Sequence, residues 1–187
     1  MRQVKMYFAN GLFNEADRDY NMKIYNRLKE EFGLRLDIYL PQLNDAINDK
    51  QAFADAQMIA NADYEELENS EILLAIIDTE DAGVALEIGL AYEMGIPIVG
   101  LYTDVRQHGA DNAKKIEAIG SIGQNQFSYV NLMMTGLIMN HGKLVNSIDD
   151  AVDALAVLLD KRDKMDKQLF NSEENWKSFN NVVEYDE

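Results

Sequence analysis

Six consecutive apolar residues, Ile72-Leu-Leu-Ala-Ile-Ile77, are followed almost at once by a run of small and apolar residues from Gly83 to Met94. The first run reads as a buried strand and the second as a helix, because its pattern shifts to helical spacing. Similar pairs occur along the chain. Val4–Ala9 reads as a first strand, ending in Asn10-Gly11, and Glu15 to Phe32 as a helix with Tyr20, Ile24 and Leu28 at i, i+4 spacing and Gly33 as its stop. Leu34–Leu40 is expected to be a second strand closed by Pro41, and Gln51 to Asn69 a helix with the stripe Ala52, Ala56, Ile59, Asp63, Leu67. Pro97–Tyr102 gives a fourth strand, Phe127–Leu132 a fifth, and Ser147-Ile-Asp-Asp caps a last helix from Asp150 to about Lys161. Strands alternating with helices imply an α/β fold, an open, mainly parallel, doubly wound sheet of Rossmann or flavodoxin type with helices on both faces. Residues 1–161 are expected to form this domain. Residues 162–187 read as an acidic, irregular extension whose aromatics Phe170, Trp176, Phe179 and Tyr185 dock on something. Asp104 to Asn125 reads as a polar loop with a short helix.

Composition narrows the function. The 187 residues are 47% hydrophobic, enough for one substantial core. A formal charge of −16 repels nucleic acid backbones and anionic membranes, so neither is expected as a partner. With no cysteine there are no disulfides, thiolate nucleophiles or Cys-based metal sites. No apolar run has the length of a signal peptide or membrane span, and a cytoplasmic location is expected. Neither a metal nor a cofactor is expected.

Glu87 stands in the middle of the apolar helix. Its neighbours three and four positions away are Gly83, Val84, Leu90 and Ala91, so no cation lies within helical reach. A carboxylate on such a face loses hydration at a cost. Asp78 and Asp81 lie just before that helix, at the carboxyl edge of the sheet where open α/β folds bind ligands. Carboxylates of differing environment at one crevice suit acid/base or glycosyl-transfer chemistry.

Four patches are similar to the nucleoside 2-deoxyribosyltransferase family over roughly the first 140 residues: Tyr7-Phe-Ala-Asn-Gly-Leu-Phe13, Tyr39-Leu-Pro-Gln42, Asp81-Ala-Gly-Val-Ala-Leu-Glu87-Ile-Gly-Leu-Ala91 and Val130-Asn-Leu-Met133. The resemblance implies transfer of a 2-deoxyribosyl group between nucleobases, as in purine and nucleotide salvage. It makes Glu87 the nucleophile at C1′, giving a covalent deoxyribosyl-enzyme that hydrolyses slowly without an acceptor base. Asp81 matches the aspartate that protonates the departing base; a helix N-cap explains it equally. Asp63 matches a second base-side aspartate, against a solvated helix edge. Gln42 matches a base-contacting glutamine, against a turn residue. Tyr7 matches the tyrosine that holds the glutamate, against a core aromatic. Asn131 matches a residue contacting the sugar 5′-hydroxyl from a neighbouring subunit, and Met133, two residues on in an extended segment, is expected on the same side. Asp78 either shapes the pocket or binds sugar.

The implied partners are a 2′-deoxynucleoside, a free nucleobase and further copies of the chain, as a dimer or hexamer with shared sites. Short family members place their C-terminal carboxylate near the sugar. This chain continues well past Asn131 to Glu187, so its terminus is not expected to take that part. Three alternatives stand beside the transferase: a 2′-deoxynucleoside 5′-monophosphate N-glycosidase, a nucleotide-binding module without turnover, and a metal-dependent hydrolase using Asp78, Asp81 and Glu87. The first tends to carry Ser where Asp81 stands, and Asp there repels a phosphate. The last lacks a neighbouring His ligand.

Overall fold

The computed structural model describes residues 2–48, 54–104, 114 and 130–181. Five parallel strands form one sheet in the order β2-β1-β3-β4-β5, with β1 at Val4–Ala9, β2 at Leu36–Tyr39, β3 at Ile72–Ile76, β4 at Ile98–Leu101 and β5 at Gly142–Val145. Helices cover both faces: α1 (Glu15–Phe32), the short α2 (Asp45–Asn48), α3 (Ala56–Glu68), α4 (Ala82–Glu93), α5 (Leu132–His141) and α6 (Ile148–Asn181). This is the flavodoxin-like winding. Its strand order reverses between β1 and β3, and the crevice that forms there, at the carboxyl ends of the strands, is where such sheets hold ligands.

Alternation along β1 sorts the core into two layers. Val4, Met6 and Phe8 pack with Ile24 and Leu28 of α1 and with Leu155 and Leu159 of α6. Tyr7 and Ala9 face the other way, among Leu67 of α3, Val84 and Ile88 of α4 and Met134 and Ile138 of α5. Capping sets where the helices start. Asn14 accepts from the Asp17 amide at α1, Asp55 from the Gln57 and Met58 amides at α3, and Ser147 from the Asp150 amide at α6.

Several expected boundaries change. Residues 33–35 form a turn of 3-10 helix, so β2 begins at Leu36 rather than Leu34. Helix α3 starts at Ala56 behind its Asp55 cap; residues 51–53 lie outside the described part. The fifth strand is not Phe127–Leu132. Leu132 opens helix α5, residues 127–129 lie outside the described part, and β5 is Gly142–Val145 beside β4. Most of the expected loop from Asp104 to Asn125 also lies outside it.

Residues 162–181 are not irregular, because α6 continues without a break to Asn181; residues 182–187, with Tyr185, lie outside the described part. Charge pairing carries the helix where its apolar stripe ends. Arg162 bridges Glu71 at 2.7 Å and Asp166 at 3.9 Å, and Arg35 reaches Asp160 and Asp163 at 2.8 and 2.9 Å.

Candidate active site

The sheet register brings two tyrosines together. Tyr7 of β1 pairs with Tyr39 of β2, and their rings lie 5.2 Å apart at 45°. Tyr7 is fully buried, and its hydroxyl donates to Glu87 Oε1 at 2.7 Å. Tyr39 donates to Asp63 Oδ1 at 3.3 Å. Strand β1 therefore carries the phenol, α4 the glutamate it holds, and α3 the aspartate beside them.

Burial dominates the electrostatics. It pushes the Glu87 carboxyl up to about 7; the Tyr7 hydrogen bond opposes this, while the nearby Asp63 and Asp81 charges add to it. Burial, followed by the Glu87 charge, drives the Tyr7 phenol far above its ordinary range, so it stays a hydrogen-bond donor. Asp63 is also raised, first by burial and then by Glu66, with the Tyr39 bond pulling the other way. Burial and the neighbouring carboxylates thus favour a proton on Glu87 toward neutrality. Acid chemistry needs that proton, while the tyrosine bond favours the anion that a nucleophile needs.

Asp81 serves as the cap of α4. Its Oδ1 accepts from the Gly83 amide at 2.8 Å and the Val84 amide at 3.1 Å. A Cβ at position 83 would stand 2.9 Å from that oxygen, so glycine keeps the cap open. The other oxygen faces Gly11, where an added Cβ would lie 3.9 Å from Asp81 Oδ2 and 3.0 Å from Asp17 Oδ2. Beyond Gly11, on the α1 side, a cavity of about 420 Å³ is lined by Ala16, Asp17, Tyr20, Asp78, Thr103 and Asp104. Asp78 is turned toward β4: its carboxylate accepts from the Thr103 amide at 2.5 Å and the Thr103 hydroxyl at 2.8 Å. Burial still raises its pKa.

Among the described residues, the other expected ones make no hydrogen bond to Glu87, Asp63 or Asp81, but Gln42 connects through Asn21 to Gly11. Gln42 is buried: its Oε1 accepts from Asn21 Nδ2 at 2.8 Å and its Nε2 donates to the Arg18 carbonyl at 3.3 Å. Asn21 also donates to the Gly11 carbonyl at 3.1 Å and accepts from Asn10 at 2.6 Å. Asn131 caps α5, accepting from the Met133 amide at 2.9 Å and the Met134 amide at 3.4 Å. Met133 therefore does not follow Asn131 along an extended segment. It lies in the first turn of a helix, where residues two apart point in different directions, and it is 74% exposed. Sequence reading missed Tyr39 as a partner of Asp63; only the parallel pairing with β1 aligns it with Tyr7. Among the described residues, no group of three or more His, Cys, Asp or Glu is placed to hold a metal ion, and no helix is long and apolar enough to cross a membrane.

Comparison with known proteins points one way. A conserved protein from Enterococcus faecalis, solved by crystallography, is 47% identical, covering 86% of this chain and 99% of its own at a TM-score of 0.70. A 2-deoxyribosyltransferase from Bacillus psychrosaccharolyticus shares the fold at 19% identity, with 80% and 90% of the two chains covered and a TM-score of 0.53. The 2-deoxyribosyltransferase of Leishmania mexicana does so at 18% identity, with 84% and 97% covered and a TM-score of 0.53. No curated protein matches the chain. Residues 6–134, which carry Tyr7, Asp63, Asp81, Glu87 and Asn131, match the family model of nucleoside 2-deoxyribosyltransferase, and the chain belongs to that family.

Proposed function

We propose that this protein moves a 2-deoxyribosyl group from one nucleobase to another through a covalent bond to Glu87. The observation that carries the reading is the Tyr7–Glu87 hydrogen bond, 2.7 Å long, inside an otherwise apolar helix face. An isolated glutamate there costs stability for no structural return. With Oε1 held by Tyr7, Oε2 is the oxygen that attacks C1′. The C1′–N bond breaks, its electron pair leaves with the base, and a base-side carboxyl, Asp81 or Asp63, supplies the proton the base takes up. In the second half the incoming base gives a proton to that carboxylate and its nitrogen attacks C1′. The C1′–O bond to Glu87 breaks and the free carboxylate returns. Water in place of a base gives slow hydrolysis.

The substrate proposed is the unphosphorylated 2′-deoxynucleoside. Asp17, Asp78 and Asp104 around the cavity, with Asp81 past Gly11, oppose an anionic phosphate. The active unit proposed is a homo-oligomer in which Asn131 completes a neighbour's pocket. In support, α4 and α5 leave Leu86, Leu132 and Met133 at least half exposed, on helices apolar over most of their surface.

Incubation with deoxyinosine and free adenine tests the reading. Deoxyadenosine and hypoxanthine are the expected products, with little free deoxyribose. Activity confined to deoxynucleoside 5′-monophosphates would replace it with the N-glycosidase.

A further inference from the structure

Asp63 sits at the end of a chain of hydrogen bonds whose direction is fixed from the far end. The Ala46 amide, in the first turn of α2, can only donate, and it does so to Asn44 Oδ1 at 3.1 Å. The other end of that carboxamide is therefore the donor, Nδ2. It lies 3.0 Å from the Tyr39 hydroxyl, so the phenol oxygen accepts there. A phenol has one proton, and Tyr39 directs it to Asp63 Oδ1 at 3.3 Å. The sense of the chain is set by a backbone N–H and leaves Tyr39 no second choice.

We infer that Asn44 and Tyr39 are positioning residues for Asp63: they commit its Oδ1 to the phenol and leave Oδ2 as the oxygen that meets the base. This rests on the reading of Asp63 as a base-side carboxyl. Two phenols in contact thus hold two carboxyls, with bonds of different length. The Tyr7–Glu87 bond is 2.7 Å, short as suits a group that must be an anion. The Tyr39–Asp63 bond is 3.3 Å, longer and so weaker. The Asn44 bond makes the Tyr39 phenolate easier to form, opposing burial, which raises Tyr39 to about 12; the phenol remains protonated at working pH.

Two substitutions test the relay. Asn44→Asp keeps an oxygen for the Ala46 amide but replaces Nδ2 with a second acceptor, so the Tyr39 proton turns away from Asp63. Tyr39→Phe removes the proton and keeps the ring against Tyr7. In ligand-free protein, carboxyl-carbon NMR should show the Asp63 titration moving up by about half to one pH unit in both variants, as expected for loss of one hydrogen bond to the charged form. The pH dependence of kcat/KM should shift in the same sense, with kcat falling more than KM rises.

An Asp63 titration unmoved in Tyr39→Phe overturns the relay, even if Asn44→Asp shifts it, because the added charge acts through space. A moved titration with an unmoved pH dependence of kcat/KM overturns its use in catalysis. The NMR arm requires no turnover, so failure of the relay is separable from failure of the transferase reading. That reading fails only if wild-type protein does not exchange bases.

Discussion

Glu87→Gln should make the protein more stable, by an amount that grows as pH rises from about 4.5 to about 7 and then levels off. Burial raises the Glu87 carboxyl from an ordinary 4.5 to about 7 in the folded chain. A carboxyl whose folded pKa lies above its unfolded one contributes stability that is fully present below pH 4.5 and lost as pH rises through about 7. At ~1.4 kcal/mol per pH unit, the gap is worth about 3 kcal/mol once the site is ionised. Glutamine is neutral at every pH and keeps an oxygen for the Tyr7 hydroxyl. For a chain of this size the gain corresponds to a rise in Tm of roughly 6–12 °C at about pH 8.5, falling to roughly a quarter of that at about pH 5. Thermal melts of both proteins at the two pH values read the difference directly, because titrating groups remote from Glu87 contribute equally to both proteins. An equal change in Tm at both pH values, or a less stable variant at the higher one, would refute the claim that the fold holds Glu87 against its own hydration. Together with loss of activity, the expected result marks Glu87 as a residue kept for chemistry at the expense of stability.

Three further outcomes are expected. Tyr7→Phe removes a bond that favours the Glu87 anion, so the acid limb of the pH–rate profile should move up by about one to two pH units, with activity partly recovered at higher pH; an unmoved limb returns Tyr7 to the role of a core aromatic. Asp81→Asn keeps an oxygen to cap the Gly83 and Val84 amides, so Tm should change little, while turnover falls by about 10²-fold or more from loss of proton transfer; full activity would leave Asp81 a cap alone. Mixing inactive Glu87→Ala protein with inactive Asn131→Ala protein under subunit exchange should regenerate part of the activity, and no recovery despite demonstrated exchange would rule out a shared pocket.

What could be read from the sequence follows from where the physics is local. Val4–Ala9 and Ile72–Ile76 are buried almost throughout, so their apolar runs marked them as strands, and Asp81 and Ser147 marked helix starts through capping chemistry. Strand β5 gives no such signal. It is four residues long, begins Gly142-Lys143, and buries only Val145, as an edge strand does. Helix α6 outruns its apolar stripe: between Leu159 and Asp166 its contacts include ion pairs of Arg162 with Glu71 and Asp166 and of Asp160 and Asp163 with Arg35, which carry no hydrophobic period.

The site divides in the same way. Glu87 was legible because its helical neighbours are in sequence, and Asp81 because caps are local. Tyr39 and Asn44 reach Asp63 only through strand pairing and a turn after β2, which no window of sequence contains. Asn131 and Met133 were read in an extended segment, and the cap at Asn131 turns that segment into a helix.

The central claim is that Glu87 becomes covalently bound to the sugar. Protein incubated with a 2′-fluoro-2′-deoxynucleoside, which slows breakdown of the intermediate, then digested and examined by mass spectrometry, tests it most directly. An adduct of one fluorodeoxyribosyl group is expected on the peptide containing Glu87, and none on Glu87→Gln protein shown to be folded. An adduct that persists in that variant, or one carried by another residue of the wild-type chain, would contradict it.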